Sequence, residues 1–197
     1  FGMVAMDRAL VVGLGNPGRK YAGNRHNVGF QCVERLASAH GLLFDKAHRR
    51  AKAALGAICE QPVVLVRPQT YMNESGQAVA PLVRFYQVPL DRLVVVVDDL
   101  DLPLGVLRMR PEGGTGGHKG MASLIQSLGG QQGFARLRVG IGRPPGSMDP
   151  AAFVLQDFSS DERLVMDEAL ERAVEAIERW LTQGIDAAMN CCNARAE

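Results

Sequence analysis

Cysteine is scarce, with four thiols in 197 residues at Cys32, Cys59, Cys191 and Cys192. None forms a C-x-x-C pair and no histidines sit at finger spacing, which argues against structural zinc. The adjacent Cys191 and Cys192 cannot easily bridge each other, and all four read as reduced thiols of a cytoplasmic protein. No apolar run approaches the ~20 residues that span a bilayer. No N-terminal stretch has the charged, apolar, small-residue order of a secretion signal. Internal repeats and long linkers are also missing. The expectation is a cytoplasmic chain without membrane attachment.

What is present is ordinary for a folded soluble domain: 47% hydrophobic and 22% charged residues. A chain of this length buries roughly 70% of its unfolded surface and needs no staples. The expected division is a disordered or vector-derived lead over 1–8, one domain over 9–190, and a flexible tail over 191–197. The net charge of +1 hides an asymmetry. Residues 1–158 carry 18 Lys/Arg against 12 Asp/Glu, and residues 159–197 carry 4 against 9. The basic body permits a polyanionic partner.

Strand and helix patterns alternate. Residues 9–15 are a short apolar run ending in glycines, which predicts a buried strand. Phe30, Val33, Leu36 and Ala37 share helical spacing over 27–40, and Gly41 stops them. Two strands are expected within 53–67, then a helix over 74–87 that Pro81 should kink or shift. The valines at 94–97 are the most strand-like run. Strands over 105–110 and 136–142 flank a Gly-rich segment and a helix over 118–128, and 143–150 reads as a loop. The clearest helix spans 159–182, where Ser159 and Glu162 form a capping box. The alternation predicts a single α/β domain: a twisted, mixed, mostly parallel sheet with helices on both faces.

Polar clusters follow three of these strands, where open α/β sheets place ligands. Gly13-x-Gly15-x-x-Gly18 matches a dinucleotide fingerprint as a string, but no helix opens at once and no acidic residue ends a strand about 20 residues on. A tight turn is the simpler reading. The 113–120 loop lacks the Gly-Lys-Ser/Thr of a phosphate loop. His26 sits among Asn16, Arg25 and Asn27, and Asp98 ends the valine strand. A carboxylate that orients one imidazole nitrogen frees the other as a base. No Ser elbow is present and no Cys–His motif is recognisable, so a base that activates water is favoured over a covalent nucleophile. Asn73 reads either as an oxyanion donor or as a helix N-cap. Arg108 with Arg110, and Arg136 with Arg138, share strand faces by period two. They read either as a phosphate-binding patch or as a solvated face.

Taken together, GLGNPGRKYAGNRHNVGF, RPQTYMNESG and DDLDLPLGVLRMRPEGGTGGHKG, with RLRVGIGRPPG, resemble the signature blocks of the bacterial-type peptidyl-tRNA hydrolases in order and spacing, over about residues 9–182. The resemblance implies a metal-independent esterase without cofactor. It would cleave peptide from the 3′ end of tRNA, as a monomer with no obligatory protein partner. It implies His26 as catalytic base, Asp98 as its support, and Asn16 and Asn73 as groups holding the peptide, with Asn73 donating to the oxyanion. It places Tyr21 by the terminal nucleotide, Met72 in the cleft, and His118 at the rim. A tRNA phosphate would be clamped by Arg110 and Arg138, with Arg108 nearby. The sequence departs from the family pattern at Asn24 (usually Thr), Glu112 (commonly Gly) and Lys119 (usually Asn). Lys119 cannot accept a hydrogen bond while charged but can reach a phosphate. Two alternatives remain: a non-catalytic RNA-binding relative of the same fold, and a generic esterase or peptidase.

Overall fold

The computed structural model describes residues 7–193. In chain order the elements are β1 (Ala9–Gly13), α1 (Val28–Ala39), β2 (Lys46–His48), β3 (Ala51–Ile58), β4 (Gln61–Pro68), α2 (Ser75–Phe85), β5 (Leu93–Asp99), β6 (Leu107–Arg110), α3 (Lys119–Ser127), β7 (Ala135–Gly140), α4 (Pro150–Phe153), α5 (Ser160–Gln183) and α6 (Ile185–Asn193). Most of the expected lead and the last four residues of the expected tail lie outside the described residues. Helix α6 takes in the first three residues of that tail, and Cys192 is buried there.

The seven strands form one sheet in the order β2-β3-β4-β1-β5-β7-β6. Its centre, β4-β1-β5-β7, is parallel. Both edges are antiparallel: hairpins join β2, β3 and β4, and β6 pairs with β7 across the connection that carries α3. The expected mixed sheet is therefore parallel where it is most buried, as crossover helices require.

Period-two alternation sends each central strand to two cores. Val11 of β1 and Val94 and Val96 of β5 join α1, α5 and α6 on one face. Leu10, Val12, Val95 and Val97 join α2 and α3 on the other. The expected capping box opens α5: the Ser159 side chain accepts from the Glu162 backbone N–H, and Glu162 accepts in return. Pro81 sits inside α2 without ending it, at an exposed position. At the β6 edge, the Asn193 side chain accepts from the Met109 backbone N–H and donates to the Met109 carbonyl. That amide takes the place of a further strand and covers a pair of edge groups.

One close approach positions everything downstream. Strand β1 and the first turn of α1 meet through glycine. A Cβ on Gly13 would lie 2.1 Å from the Gly29 carbonyl oxygen, and a Cβ on Gly29 would lie 2.5 Å from the carbonyl oxygens of Leu14 and Val96. All of these neighbours are backbone and cannot swing aside. The contact brings the residues before α1 against the end of β5. Gly29→Ala should therefore destabilise the fold by about 1–3 kcal/mol through overpacking. Denaturant unfolding measures it, and an unchanged transition midpoint would contradict the close approach.

Candidate active site

Asp98 is the continuation of the 94/96 alternation, so its side chain leaves β5 on the α1 face. It is 5% exposed. Burial alone would raise its pKa, but the imidazoles of His118 and His26 outweigh it and hold the carboxyl well below the usual range. A buried carboxylate needs such partners.

The two partners differ. His118 is the N-cap of α3, and its Nδ1 accepts from the backbone N–H groups of Gly120 and Met121 at 3.1 and 3.2 Å. Those donors assign the ring proton to Nε2, which donates to Asp98 Oδ1 at 2.8 Å. His26 lies in a single 3-10 turn, Arg25–Asn27, just ahead of α1. Its Nδ1 donates to Asp98 Oδ2 at 2.8 Å. The proton on Nδ1 leaves Nε2 as a lone-pair acceptor facing the cleft. The ligating atoms of His26, Asp98 and His118 all lie within 4.8 Å of one another. A metal on His118 Nε2 would force a proton onto Nδ1, against two N–H donors. The set is built for hydrogen bonding.

A cleft of about 750 Å³ opens over this triad, a size suited to a ligand pocket. Asn16, Tyr21, His26, Met72, Asn73, Asp98, His118, Lys119 and Arg138 all line it, so the structure brings together nine of the eleven sequence-predicted site residues. The Asn16 side-chain oxygen accepts from the Met72 backbone N–H at 2.8 Å, which turns its NH₂ group away from that contact. Asn27 locks Asn16 in place: its amide exchanges two hydrogen bonds with the Asn16 backbone, each 2.9 Å. Asn73 is exposed and makes no N-cap bond to α2. Its amide is free to serve the cleft.

The cleft has two unlike sides. On the α3 side, alternation along β7 points Arg136 and Arg138 away from the core of Leu137 and Val139. Arg136 is 0% exposed and donates to the backbone carbonyls of Gly114 (2.7 Å), Gln132 (3.1 Å) and Phe134 (3.4 Å). Burial, then the neighbouring Arg138, bring its pKa down to about 10, so it stays charged at neutral pH. On the α1 side, Leu100, Pro150, Ala151, Val154 and Leu155 make an apolar wall.

Arg108 and Arg110 pair in register with Arg138 and Arg136 but do not line the cleft. Arg108 donates to the Asn193 carbonyl at 3.0 Å, and Arg110 is exposed on the edge strand. The sequence pointed to no role for Asn27, Arg25 or the 150–155 wall, and offered Arg136 only as one of the strand-face arginines. Arg136 was visible through its period-two relation to Arg138. The wall carries no charge or motif, and only tertiary packing reveals it.

A sequence model described as peptidyl-tRNA hydrolase matches residues 10–197. The peptidyl-tRNA hydrolase of Herpetosiphon aurantiacus is 50% identical over 188 residues, which are 95% of this chain and 91% of that one. A chloroplastic group IIB intron splicing facilitator of Zea mays is 49% identical over 175 residues, 89% of this chain and 68% of that longer protein. The crystal structure of peptidyl-tRNA hydrolase from Acinetobacter baumannii superposes with a TM-score of 0.89 at 38% identity, covering 98% of both chains. No helix among the described residues is long and apolar enough to cross a membrane.

The lowered pKa of Asp98 has a consequence for stability. Its folded value lies below the unfolded value of about 3.9. Its stabilising contribution is therefore present above about pH 4 and is lost as pH falls toward the folded value. Asp98→Asn should reduce the slope of unfolding free energy against pH, below about pH 4, by up to ~1.4 kcal/mol per pH unit. Unfolding curves at a series of acidic pH values measure this, and identical slopes would contradict the buried carboxylate.

Proposed function

The chain belongs to the peptidyl-tRNA hydrolase family, and from that premise we propose that it hydrolyses the ester joining a peptide to the 3′ end of tRNA, with His26 as general base. What carries this reading is the His26–Asp98 pair, at 2.8 Å, beneath a cleft with one apolar and one basic side. The substrate has the same two-sided character. An ester carbonyl over Nε2 of His26 would have its peptide against Leu100, Val154 and Leu155 and its nucleotides toward Arg138 and Lys119.

The reaction follows from the donors and acceptors. Nε2 of His26 takes a proton from a water, and the oxygen of that water attacks the ester carbonyl carbon. Asp98 accepts from Nδ1 throughout and stabilises the imidazolium as it forms. The amides of Asn73 and Asn16 donate to the carbonyl side of the substrate, with Asn73 on the developing oxyanion. The ribose oxygen leaves with the proton returned by Nε2. Tyr21 and Met72 line the path of the terminal nucleotide, and Arg138, with Arg110 further out on the sheet edge, meets phosphate. All of these groups come from one chain. Loss of a general base typically costs about 10²–10⁴ in rate.

The maize relative motivates a second reading, an RNA-binding protein without hydrolysis. Lys119 and Arg138 would serve either. An imidazole held by a buried carboxylate, with its second nitrogen open to a cleft, has a use in the first reading only.

His26→Ala should lower peptide release from peptidyl-tRNA by at least about 100-fold, with tRNA binding retained. Release at the parental rate would remove His26 from the chemistry. Arg138→Ala should weaken tRNA binding and reduce the slope of log affinity against log salt by about one phosphate contact. An unchanged slope would remove Arg138 from the backbone contacts.

A further inference from the structure

Next to the proposed base stands a second buried cation that the reaction does not use. Arg25 is 6% exposed. Its Nη2 reaches both carboxylate oxygens of Glu162, at 2.9 and 3.2 Å, and its Nη1 donates to the Asp157 carbonyl at 2.7 Å. The guanidinium lies 4.3 Å from the Phe153 ring centroid and 5.3 Å from that of Phe158. Backbone bonds run alongside: Arg25 N–H to the Gln156 carbonyl (3.0 Å), and His26 N–H to the Val154 carbonyl (2.9 Å). Asn24 and Asp157 add a single antiparallel bridge.

Three separate parts of the chain therefore converge on one guanidinium. They are the turn that carries His26, the 153–158 segment whose Val154 and Leu155 wall the cleft, and the first turn of α5 through the capping-box residue Glu162. The geometry points to Arg25 as a positioning residue that, through its pairing with Glu162 and its stacking on Phe153 and Phe158, sets His26 relative to the apolar wall. The inference rests on His26 being the base. Arg25 touches neither substrate nor the reacting atoms. Its action is on the distance and angle between Nε2 and an ester carbon held against Val154 and Leu155. Phosphate contacts lie on the opposite side of the cleft and do not depend on it.

A lysine in its place keeps the charge but loses the planar fork and the stacking. Glu162→Gln keeps the capping box, which glutamine also forms, and removes only the ion pair. The experiment measures kcat and KM for peptidyl-tRNA with Arg25→Lys, Glu162→Gln, the double variant and His26→Ala, each well below its own unfolding midpoint. Arg179→Lys, on the far part of α5 in a surface pair with Glu175, serves as control. Arg25→Lys should lower kcat about tenfold or more, since small misplacements of a reacting group are costly, with KM within about twofold. The double variant should be no worse than Arg25→Lys alone, because the two residues act as a unit, and Arg179→Lys should match the parent. A purely structural Arg25 would lower the unfolding midpoint and leave kcat of the folded protein unchanged, which overturns the inference. A multiplicative double variant, or a loss confined to KM, overturns it as well. If His26→Ala keeps the parental rate, the base assignment fails and the positioning role with it. An inactive His26→Ala beside a fully active Arg25→Lys overturns the positioning role alone.

Discussion

The structure turns on a buried charge. Asp98 stands at the end of β5, almost wholly buried beneath the cleft, and two imidazoles that donate to it hold it ionised. Those donors come from opposite faces of the sheet. His26 arrives from the turn before α1, on the face packed by α5 and α6, and His118 arrives from the N-terminus of α3 on the other. Each is itself fixed by backbone. The His118 ring is held by two N–H groups of its own helix, and the His26 turn is held by the carbonyls of the 154–156 segment. The glycine contact between β1 and α1 sets how closely the His26 turn can approach. Fold and site are in this sense one problem: the sheet cannot keep that carboxylate without assembling the histidine pair.

The division of labour between the two histidines follows from the same hydrogen bonds. Both donate to Asp98, but His118 spends its second nitrogen on capping a helix, whereas that of His26 is left open to the cleft. A single carboxylate thus holds two imidazoles, one with its second nitrogen committed to a helix cap and one with it open to the cleft. Around them, the sheet's alternation separates chemistry by face. The arginines of β7 emerge toward α3, and the apolar residues after α4 close the α1 side. A substrate with a peptide at one end and a polyanion at the other fits that separation. A purely nucleic acid ligand would use only half of it.

Much of this was legible in the sequence. The valine run, the glycine-ended first strand and the capping-box helix announced themselves through period-two and 3.6-residue patterning, and those elements form the buried centre. The pairing of His26 with Asp98 was readable because the acid ends a strand and the histidine lies in a polar turn after another. What escaped were features decided by packing. Strand β2 is three residues long with mostly exposed side chains, so it has no pattern to read. Helix α6 lies beyond Gly184, past the end of the clearest helical pattern. Period two correctly put Arg108 and Arg138 on one face, but position on a face does not say what a long side chain reaches. The C-terminal helix captures Arg108, and the cleft receives Arg138. The role of His118 as a cap was hidden too, because histidine is not among the residues expected at an N-cap. Arg25 was visible within its motif, but its partners are more than 125 residues away in the chain.

We propose that a buried carboxylate orients a base for water attack on peptidyl-tRNA. The most direct measurement is single-turnover peptide release from peptidyl-tRNA at neutral pH, by the parent protein and by Asp98→Asn, with folding verified for both. An asparagine preserves the shape but not the charge that sets the tautomer, and in the serine-protease triad this substitution costs about 10⁴ in rate. Rapid release by the parent is expected, with release at least about 100-fold slower by the variant. Equal rates, or tight tRNA binding by the parent with no release, would contradict it.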